Sequence, residues 1–189
     1  MRLLDLNEVV VINLDRREDR WERFLTRWEA TGLMIPVRRF SAVDGHLTNP
    51  PEHFRGSRVA RRGEWGCRAS HMGVLDSLTG PTLVLEDDAF LSPRLLELST
   101  LRSPEDLDVL FLGGTSPQLR PDGPPIQRIH AIVRTHAYIV ANHTTVQASM
   151  PRWSRFGIEV MFAEAAMNKY LMNPSLAVQD GASSDIGAA

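Results

Sequence analysis

The sequence TLVLEDD, residues 82–88, joins a short apolar run to three consecutive carboxylates. The apolar half predicts a buried strand, and three carboxylates at its end would repel one another unless a cation lay beside them. Mg²⁺ and Mn²⁺ suit such a place because they bind oxygen ligands and keep open positions for water and substrate phosphates. The stretch therefore predicts a metal-assisted enzyme that acts on a nucleotide. For the triplet taken alone, a solvated strand end capped by aspartate before a turn is the alternative.

Strands and helices alternate on both sides of this stretch. The run VVVI at 9–12 is β-branched throughout, which is typical of a strand buried on both faces of a sheet. An amphipathic helix that stops near Gly32 is predicted next by apolar residues at helical spacing, namely Trp21, Phe24, Leu25 and Trp28. Further patterns predict strands at 37–43, 108–112, 132–140 and 175–178, helices at 64–78 and 158–171, a short helix that begins at Ser92-Pro93, and a loop over 47–63.

This alternation predicts an α/β fold with an open, mostly parallel sheet and helices on both faces, as a single domain over residues 1–189. In such folds ligands bind outside the carboxyl ends of the strands. Polar clusters follow four predicted strands, at Asn13-Leu14, Asp44-Gly45, Glu86-Asp87-Asp88 and Gly113-Gly114. Because these clusters share one edge of one sheet, the acidic triplet is predicted to be functional.

Composition limits the classes of protein that fit. With 189 residues, 43% of them hydrophobic and 23% charged, the chain is long and apolar enough for a folded core. A net charge of −2 gives no reason to expect nucleic acid. The single cysteine, Cys67, cannot form an intramolecular disulfide, and neither a signal segment nor a transmembrane segment is expected. A cytoplasmic location is predicted, and the oligomeric state is left open. No P-loop or dinucleotide glycine fingerprint is present in the sequence.

Five blocks of sequence then carry a resemblance. They are VINLDRREDR at 11–20, GEWGCRASH at 63–71, VLEDD at 84–88, THAYIV at 135–140, and the C-terminal pieces VQD and SSDI within 178–186. In this order they resemble glycosyltransferase family 25, which contains bacterial lipooligosaccharide galactosyltransferases and the collagen galactosyltransferases. The resemblance implies the A-type glycosyltransferase fold, a nucleotide-sugar donor, Mn²⁺ or Mg²⁺, and inversion at the anomeric carbon.

The resemblance also implies roles for the residues at the strand ends. Asp88 would ligate the metal directly, and Glu86 would reach the ribose or a metal-bound water and join the metal site, while Asp87 is the ambiguous middle member on the nucleotide side. Asn13 and Arg16 stand where the first strand opens onto the nucleotide, and the planar fork of an arginine suits a diphosphate. For Arg16 a solvated side chain is the alternative.

Ser70 and His71 fall within the predicted helix over 64–78 and match a family block, which places them on the donor side. His71 is one residue off a stripe formed by Trp65, Ala69 and Met72, so the spacing tilts it toward the ligand edge, where it would hold a phosphate or an acceptor hydroxyl. A structural histidine is the alternative. Cys67 is predicted to be a small core residue.

An inverting transfer needs a base that deprotonates the acceptor hydroxyl. Glu159 is the candidate, because it stands where the family usually has an aspartate before a helix; a first-turn glutamate that favours the helix dipole is the alternative. Asp180 is the rival base or an additional metal ligand, and its alternative is a turn residue before Gly181.

The predicted function is therefore a metal-dependent inverting glycosyltransferase that moves a hexose, galactose by resemblance, from a uridine-diphosphate sugar (UDP-galactose) to a glycan, a lipooligosaccharide or a protein hydroxyl. Two alternatives stay open: a catalytically idle remnant that binds a nucleotide or glycan, and a metal-dependent phosphoesterase. A loop with Arg55, Arg58, Arg61 and Arg62 would close over the diphosphate or receive an anionic acceptor, or else is an ordinary charged surface.

Overall fold

A computed structural model describes residues 2–3, 5–57 and 60–179 of the chain, except for the side chains of residues 2, 3 and 99. The strands are β1 (Arg2–Leu3), β2 (Glu8–Asn13), β3 (Val37–Ser41), β4 (Thr82–Glu86), β5 (Ala89–Leu91), β6 (Arg102–Ser103), β7 (Val109–Phe111), β8 (Ile126–Ile129), β9 (Ala137–Val140), β10 (Lys169–Met172) and β11 (Ala177–Gln179). The helices are α1 (Glu18–Ala30), α2 (Arg61–Ser77), α3 (His143–Ser149) and α4 (Ile158–Glu164), with a 3₁₀ helix at Pro93–Ser99.

Seven strands form the main sheet in the order β3-β2-β4-β9-β7-β10-β8. β2 pairs in parallel with both β3 and β4, and β7 pairs in parallel with β10. β9 and β8 run against their neighbours, so five of the seven strands point the same way. This confirms the predicted α/β class with a mostly parallel sheet. Two small antiparallel pairs, β1 with β6 and β5 with β11, lie outside it.

The core has one layer on each face of the sheet, as the alternation in β2 shows. Val9 and Val11 pack into the cluster that holds Phe24 and Trp28 of α1. The intervening Val10 and Ile12 pack into a second cluster built from α2, α3 and α4. Successive side chains of a strand point to opposite faces, so an unbroken apolar run can fill both layers. The prediction of helices on both faces is confirmed.

The predicted helix over 158–171 is wrong beyond Glu164. α4 ends there, and residues 169–172 form β10, which lies between β7 and β8 with all four residues buried. Lys169 tolerates burial because its Nζ donates to the carbonyls of Phe162 and Ala165 at 2.9 and 2.8 Å, at the end of α4. This segment is a strand because it pairs with β7 and β8, and the spacing of its own apolar residues cannot reveal that pairing.

Other predicted boundaries need smaller corrections. Of the strand predicted over 132–140, only the part from Ala137 to Val140 is a strand, β9. The sequence did not predict β8 or α3. α2 begins at Arg61, so the last residues of the predicted loop over 47–63 are helical. The Ser92 cap is confirmed, since its Oγ accepts from the N–H of Arg94, although the helix is 3₁₀. Gly32, with a φ of 72°, follows α1 as expected.

Within the described ranges, no helix is long and apolar enough to cross a bilayer. The expectation of one domain over residues 1–189 stays a prediction.

Candidate active site

The carboxyl ends of β2, β3 and β4 open onto one cleft. β2 and β4 are parallel, with Ile12 opposite Glu86, so the strand ends meet at the same edge. The predicted site residues that line this cleft are Arg16, Ser70, His71, Glu86, Asp87 and Asp88. The sequence therefore predicted correctly that polar strand ends gather at one edge, although the role of each residue there stays a prediction.

Two glycines let α2 approach the loop after β3. A Cβ at Gly66 would lie 2.6 Å from the carbonyl oxygen of Val43, and a Cβ at Gly45 would lie 1.9 Å from that of Arg62. Ser70 uses this contact, because its Oγ accepts from the N–H of Val43 at 2.8 Å and donates to the carbonyl of Gly66 at 2.7 Å. Ser70 thus lines the cleft and also stabilises the contact between α2 and the loop after β3.

Asp87 is held by the protein's own donors. Its Oδ2 accepts from Asn13 Nδ2 at 2.6 Å, and its Oδ1 accepts from Arg20 Nη1 at 3.2 Å in a pair whose side chains are both 7% exposed. Arg27 donates to the Asp87 carbonyl oxygen at 2.8 Å. Asn13 is almost completely buried in this arrangement, so its amide supports the acidic strand end from β2. Arg20 and Asp87 are 67 positions apart, and no local pattern in the sequence announces their contact.

Asp88 is buried, 6% exposed, and incompletely partnered. Its Oδ2 accepts from Gln179 Nε2 at 3.3 Å, but its buried Oδ1 has no hydrogen-bond partner among the described residues. Burial, and then the charges of Glu86 and Asp87, raise the pKa of Asp88 to about 7. A carboxylate in this condition is costly unless a cation neutralises it. The side chain therefore fits an oxygen ligand of Mg²⁺ or Mn²⁺.

Glu86 lies beside Asp88 in a different electrostatic state. Its Oε1 lies 3.1 Å from His71 Nε2, and His71 Nδ1 lies 2.9 Å from the Tyr138 hydroxyl oxygen. Burial is the largest influence and opposes ionisation of Glu86, but the hydrogen bond and charge of His71, together with the charges of His136 and Arg20, lower the pKa of Glu86. Gln179 Nε2 spans the two carboxylates, since it also donates to Glu86 Oε2 at 3.4 Å. Glu86 thus stays ionised next to a carboxyl group that favours its neutral form.

His71 lies on the face of α2 that packs toward the sheet, with only 1% of its surface exposed. The buried positions of that face are Gly66, Arg68, Ser70, His71, Val74 and Leu75. The stripe of Trp65, Ala69 and Met72 used to orient the helix from the sequence is therefore wrong. Trp65, Ala69 and Met72 are each only partly buried, whereas Gly66 lies against the backbone of Val43 and Gly45.

A second cleft adjoins the first and is lined by Glu159. Cys67, Glu86 and Gln179 line both clefts. Glu159 stands in the first turn of α4 and accepts from the N–H of Arg134, a residue with a left-handed φ of 71°. Burial raises the pKa of Glu159 above the usual value for a glutamate. Its carboxylate therefore lies in a cleft that meets the first cleft at Glu86.

The remaining candidates divide between the loop and the C-terminal segment. Arg61 Nη2 donates to the carbonyls of Pro51 and Phe54 at 3.0 and 3.1 Å, and Arg62 donates to Asn49 Oδ1 at 3.2 Å, so both join the start of α2 to the preceding loop. Arg55 lines the second cleft. Asp180 and Arg58 lie outside the described residues. Burial raises the pKa of the Cys67 thiol, which keeps it neutral and argues against a nucleophilic role.

Sequence reasoning assigned no role to two residues of the first cleft, Gln179 and Asp44. Gln179 reaches Asp88 because β11 pairs with β5 and places Gln179 opposite Ala89. In the sequence, only the position of Gln179 in the block VQD indicated that it belongs to the site. Asp44 accepts from Arg16 Nε at 2.7 Å, and its position after a strand gave the same signal as the acidic triplet.

The sequence is similar to those of known proteins. The family model described as "Glycosyltransferase family 25 (LPS biosynthesis protein)" matches residues 6–177. Procollagen galactosyltransferase 1 of Danio rerio is 30% identical over 155 residues, which cover 69% of this chain and 25% of that protein. Procollagen galactosyltransferase 2 of Homo sapiens is 36% identical over 103 residues, which cover 45% and 16% respectively. The chain thus spans a quarter or less of the length of these relatives.

Two solved structures are also similar. One is a mutant of the Drosophila β-1,4-galactosyltransferase 7 in complex with manganese, UDP-Gal and xylobiose, at 13% identity and a TM-score of 0.48, covering 93% of this chain and 71% of that one. The other is the apo form of the glycosyltransferase GlyE of Streptococcus pneumoniae, at 13% identity and a TM-score of 0.42, covering 76% and 36%.

Proposed function

Since this chain belongs to glycosyltransferase family 25, we propose that it transfers a hexose, galactose in the first instance, from a uridine-diphosphate sugar to a hydroxyl group. The acceptor is a glycan, a lipooligosaccharide or a protein, the anomeric carbon is inverted, and a Mn²⁺ or Mg²⁺ ion takes part. A cytoplasmic location belongs to the proposal, because one cysteine gives the chain no intramolecular disulfide that an oxidising compartment would have to maintain.

The observation that carries the proposal is the buried, unpartnered Oδ1 of Asp88 beside the ionised Glu86. These two carboxylates are the proposed metal ligands. A bound divalent cation would supply positive charge to the departing nucleoside diphosphate. Asn13 and Arg20 act as positioning residues, since they fix Asp87 and with it the turn that presents Asp88.

Arg16 is proposed to contact the donor diphosphate. It lines the cleft, its side chain is 44% exposed, and Asp44 orients its Nε. A guanidinium held in this way can donate two parallel hydrogen bonds to phosphate oxygens. Ser70, His71 and Asp87 line the same cleft and complete the proposed donor side.

Glu159 is proposed as the base that takes the proton of the acceptor hydroxyl. Its raised pKa supports this role, since a stronger base accepts a proton more readily while it is still ionised near neutral pH. Its cleft meets the donor cleft at Glu86, so an acceptor in one would approach a donor in the other. Asp180 stays the rival base.

The decisive experiment offers the full chain a panel of nucleotide sugars, with EDTA and with Mn²⁺ added back, and follows both nucleoside diphosphate and sugar-bearing product. Procollagen, lipooligosaccharide and simple glycosides serve as acceptors. We expect metal-dependent release of UDP from one donor together with a glycosylated acceptor. Equal transfer in excess chelator would contradict the metal role. Phosphate ester cleavage without sugar transfer would favour the phosphoesterase, and tight donor binding without turnover would favour the idle remnant.

A further inference from the structure

Three chemically different ligand atoms meet where the two clefts join. The Sγ of Cys67, a ring nitrogen of His71 and a carboxylate oxygen of Glu86 all lie within 4.8 Å of one another. Cys67 and His71 are four positions apart on α2, which places them on one helix face, and Glu86 ends the neighbouring strand β4. The helix and the strand therefore present a sulfur, a nitrogen and an oxygen to one point.

This set of atoms differs in chemistry from the Asp88 site. Mg²⁺ and Mn²⁺ prefer oxygen ligands, whereas a thiolate and an imidazole select a softer ion such as Zn²⁺. Zinc commonly takes three protein ligands and leaves a fourth position for water. The Tyr138 hydroxyl, 2.9 Å from His71 Nδ1, is placed to accept the ring proton and leave Nε2 free for a metal. Cys67 is only partly buried and lines both clefts, so an ion can reach it from solvent.

We propose that Cys67, His71 and Glu86 form a binding site for zinc or an ion of similar softness. Binding releases the thiol proton of Cys67 and the Nε2 proton of the His71 ring into solvent, forms the metal–sulfur and metal–nitrogen bonds, and leaves the other ring proton on Nδ1, facing the Tyr138 hydroxyl. Because Glu86 serves both sites, zinc withdraws one ligand from the Asp88 site and lowers the affinity for the hard ion. Zinc is therefore an inhibitor of sugar transfer. This last step rests on the proposed function, and the binding itself does not.

The binding test uses Co²⁺ as a spectroscopic substitute for zinc. The chain has one cysteine, so a thiolate-to-cobalt charge-transfer band can arise only from Cys67. We expect chelator-treated protein to develop this band with one equivalent of Co²⁺ and to lose it when Zn²⁺ is added. Cys67→Ser should remove the band, and Glu86→Gln should weaken cobalt binding by at least about tenfold. Asp88→Asn is the matched control and should keep the band, since Asp88 belongs to the other site.

Several results would overturn the site. They are the absence of the band at saturating Co²⁺ in folded wild-type protein, its survival in a folded His71→Ala variant, and its loss in Asp88→Asn. Circular dichroism of each variant distinguishes a lost ligand from a lost fold, and the Cys67→Ala variant repeats the test if Cys67→Ser does not fold.

The inhibition test measures transfer at fixed Mn²⁺ while Zn²⁺ is raised, each variant being compared with its own zinc-free rate. We expect wild-type transfer to fall, and the inhibitory Zn²⁺ concentration to rise at least about tenfold in Cys67→Ser. Unchanged inhibition in that variant would place zinc at Asp88 and contradict the regulatory step. A cobalt band in a protein with no transfer activity would overturn the proposed function and keep the metal site, whereas transfer without a band would do the reverse.

Discussion

At the scale of the residue, Asp87 and Asp88 are neighbours with opposite circumstances. Asp87 has both carboxylate oxygens satisfied by Asn13 and Arg20, while Asp88 keeps a buried oxygen without a partner in the described part of the chain. Asp88→Asn should therefore abolish the gain in UDP affinity that Mn²⁺ confers, because a neutral amide is a poorer ligand for a hard cation. Calorimetric titration with UDP, with and without Mn²⁺, measures this.

Asp87→Asn is the control for that experiment. It removes the charge that faces the buried Arg20, so we expect a loss of stability of about 3 kcal/mol. The amide oxygen can still accept from Asn13 or Arg20, and the Arg27 bond to the backbone carbonyl is unchanged, so the turn that presents Asp88 and the response to Mn²⁺ should be retained. If Asp87→Asn abolished the metal response while Asp88→Asn preserved it, the assignment of the ligand within the triplet would be reversed.

The burial of Asp88 also predicts how the stability of the metal-free fold depends on pH. The pKa of Asp88 in the folded protein, about 7, is above the ordinary aspartate pKa of 3.8, so the metal-free native state binds the proton more tightly than the unfolded chain does. This contribution favours the folded state below pH 4 and is lost as the pH rises toward 7, by up to about 4 kcal/mol. Urea unfolding in chelator should show the decline, and Asp88→Asn should flatten it. A decline of the same size in the variant would assign it to other groups.

At the scale of the element, the strands that build the site were predictable and their neighbours were not. The run VVVI and the stretch TLVLEDD identify β2 and β4, because a strand buried on both faces must be apolar throughout and can be polar only where it ends. β10 was assigned to a helix, because its place between two strands is a tertiary fact. The reach of Gln179 to Asp88 depends likewise on the pairing of β11 with β5.

The first turn of α4 carries the prediction about the base. Glu159→Gln should reduce the transfer rate roughly 10²-fold to 10⁴-fold and leave the Mn²⁺-dependent affinity for donor nearly intact. The amide oxygen can still accept from the Arg134 N–H, so the turn with its left-handed residue is preserved. Steady-state kinetics with saturating donor measures the effect.

Glu164→Gln, an exposed position at the other end of the same helix, is the matched control and should be neutral. Full activity in Glu159→Gln together with its loss in Asp180→Asn would transfer the role of base to Asp180.

At the scale of the whole molecule, the site depends on both layers of the core. α1 supplies Arg20 from one face of the sheet, α2 supplies His71 from the other, and the main sheet brings Glu86 between them. The sequence shows that Arg20, His71 and Glu86 are polar residues near strand ends or on helices. It does not show that they lie close together, because their proximity results from the packing of α1 and α2 on opposite faces of the sheet. The two clefts meet at Glu86, because this residue ends β4 and lines both of them.

This arrangement predicts that metal and nucleotide stabilise the fold together. UDP without a metal would bring its own negative charge to the uncompensated carboxylates, and Mn²⁺ alone would lack the phosphate oxygens that complete its coordination. Thermal unfolding of the full chain should therefore show a larger shift with Mn²⁺ plus UDP than the sum of the two separate shifts. At about 100 times the Kd the ternary complex gains about 2.7 kcal/mol, which for a chain of this length corresponds to roughly 5 to 10 °C. A shift with both ligands that equals the sum of the separate shifts, or the full shift with UDP in chelator, would contradict the prediction. Either result would show that the nucleotide binds without the metal and that the carboxylates at the end of β4 have a role other than metal binding.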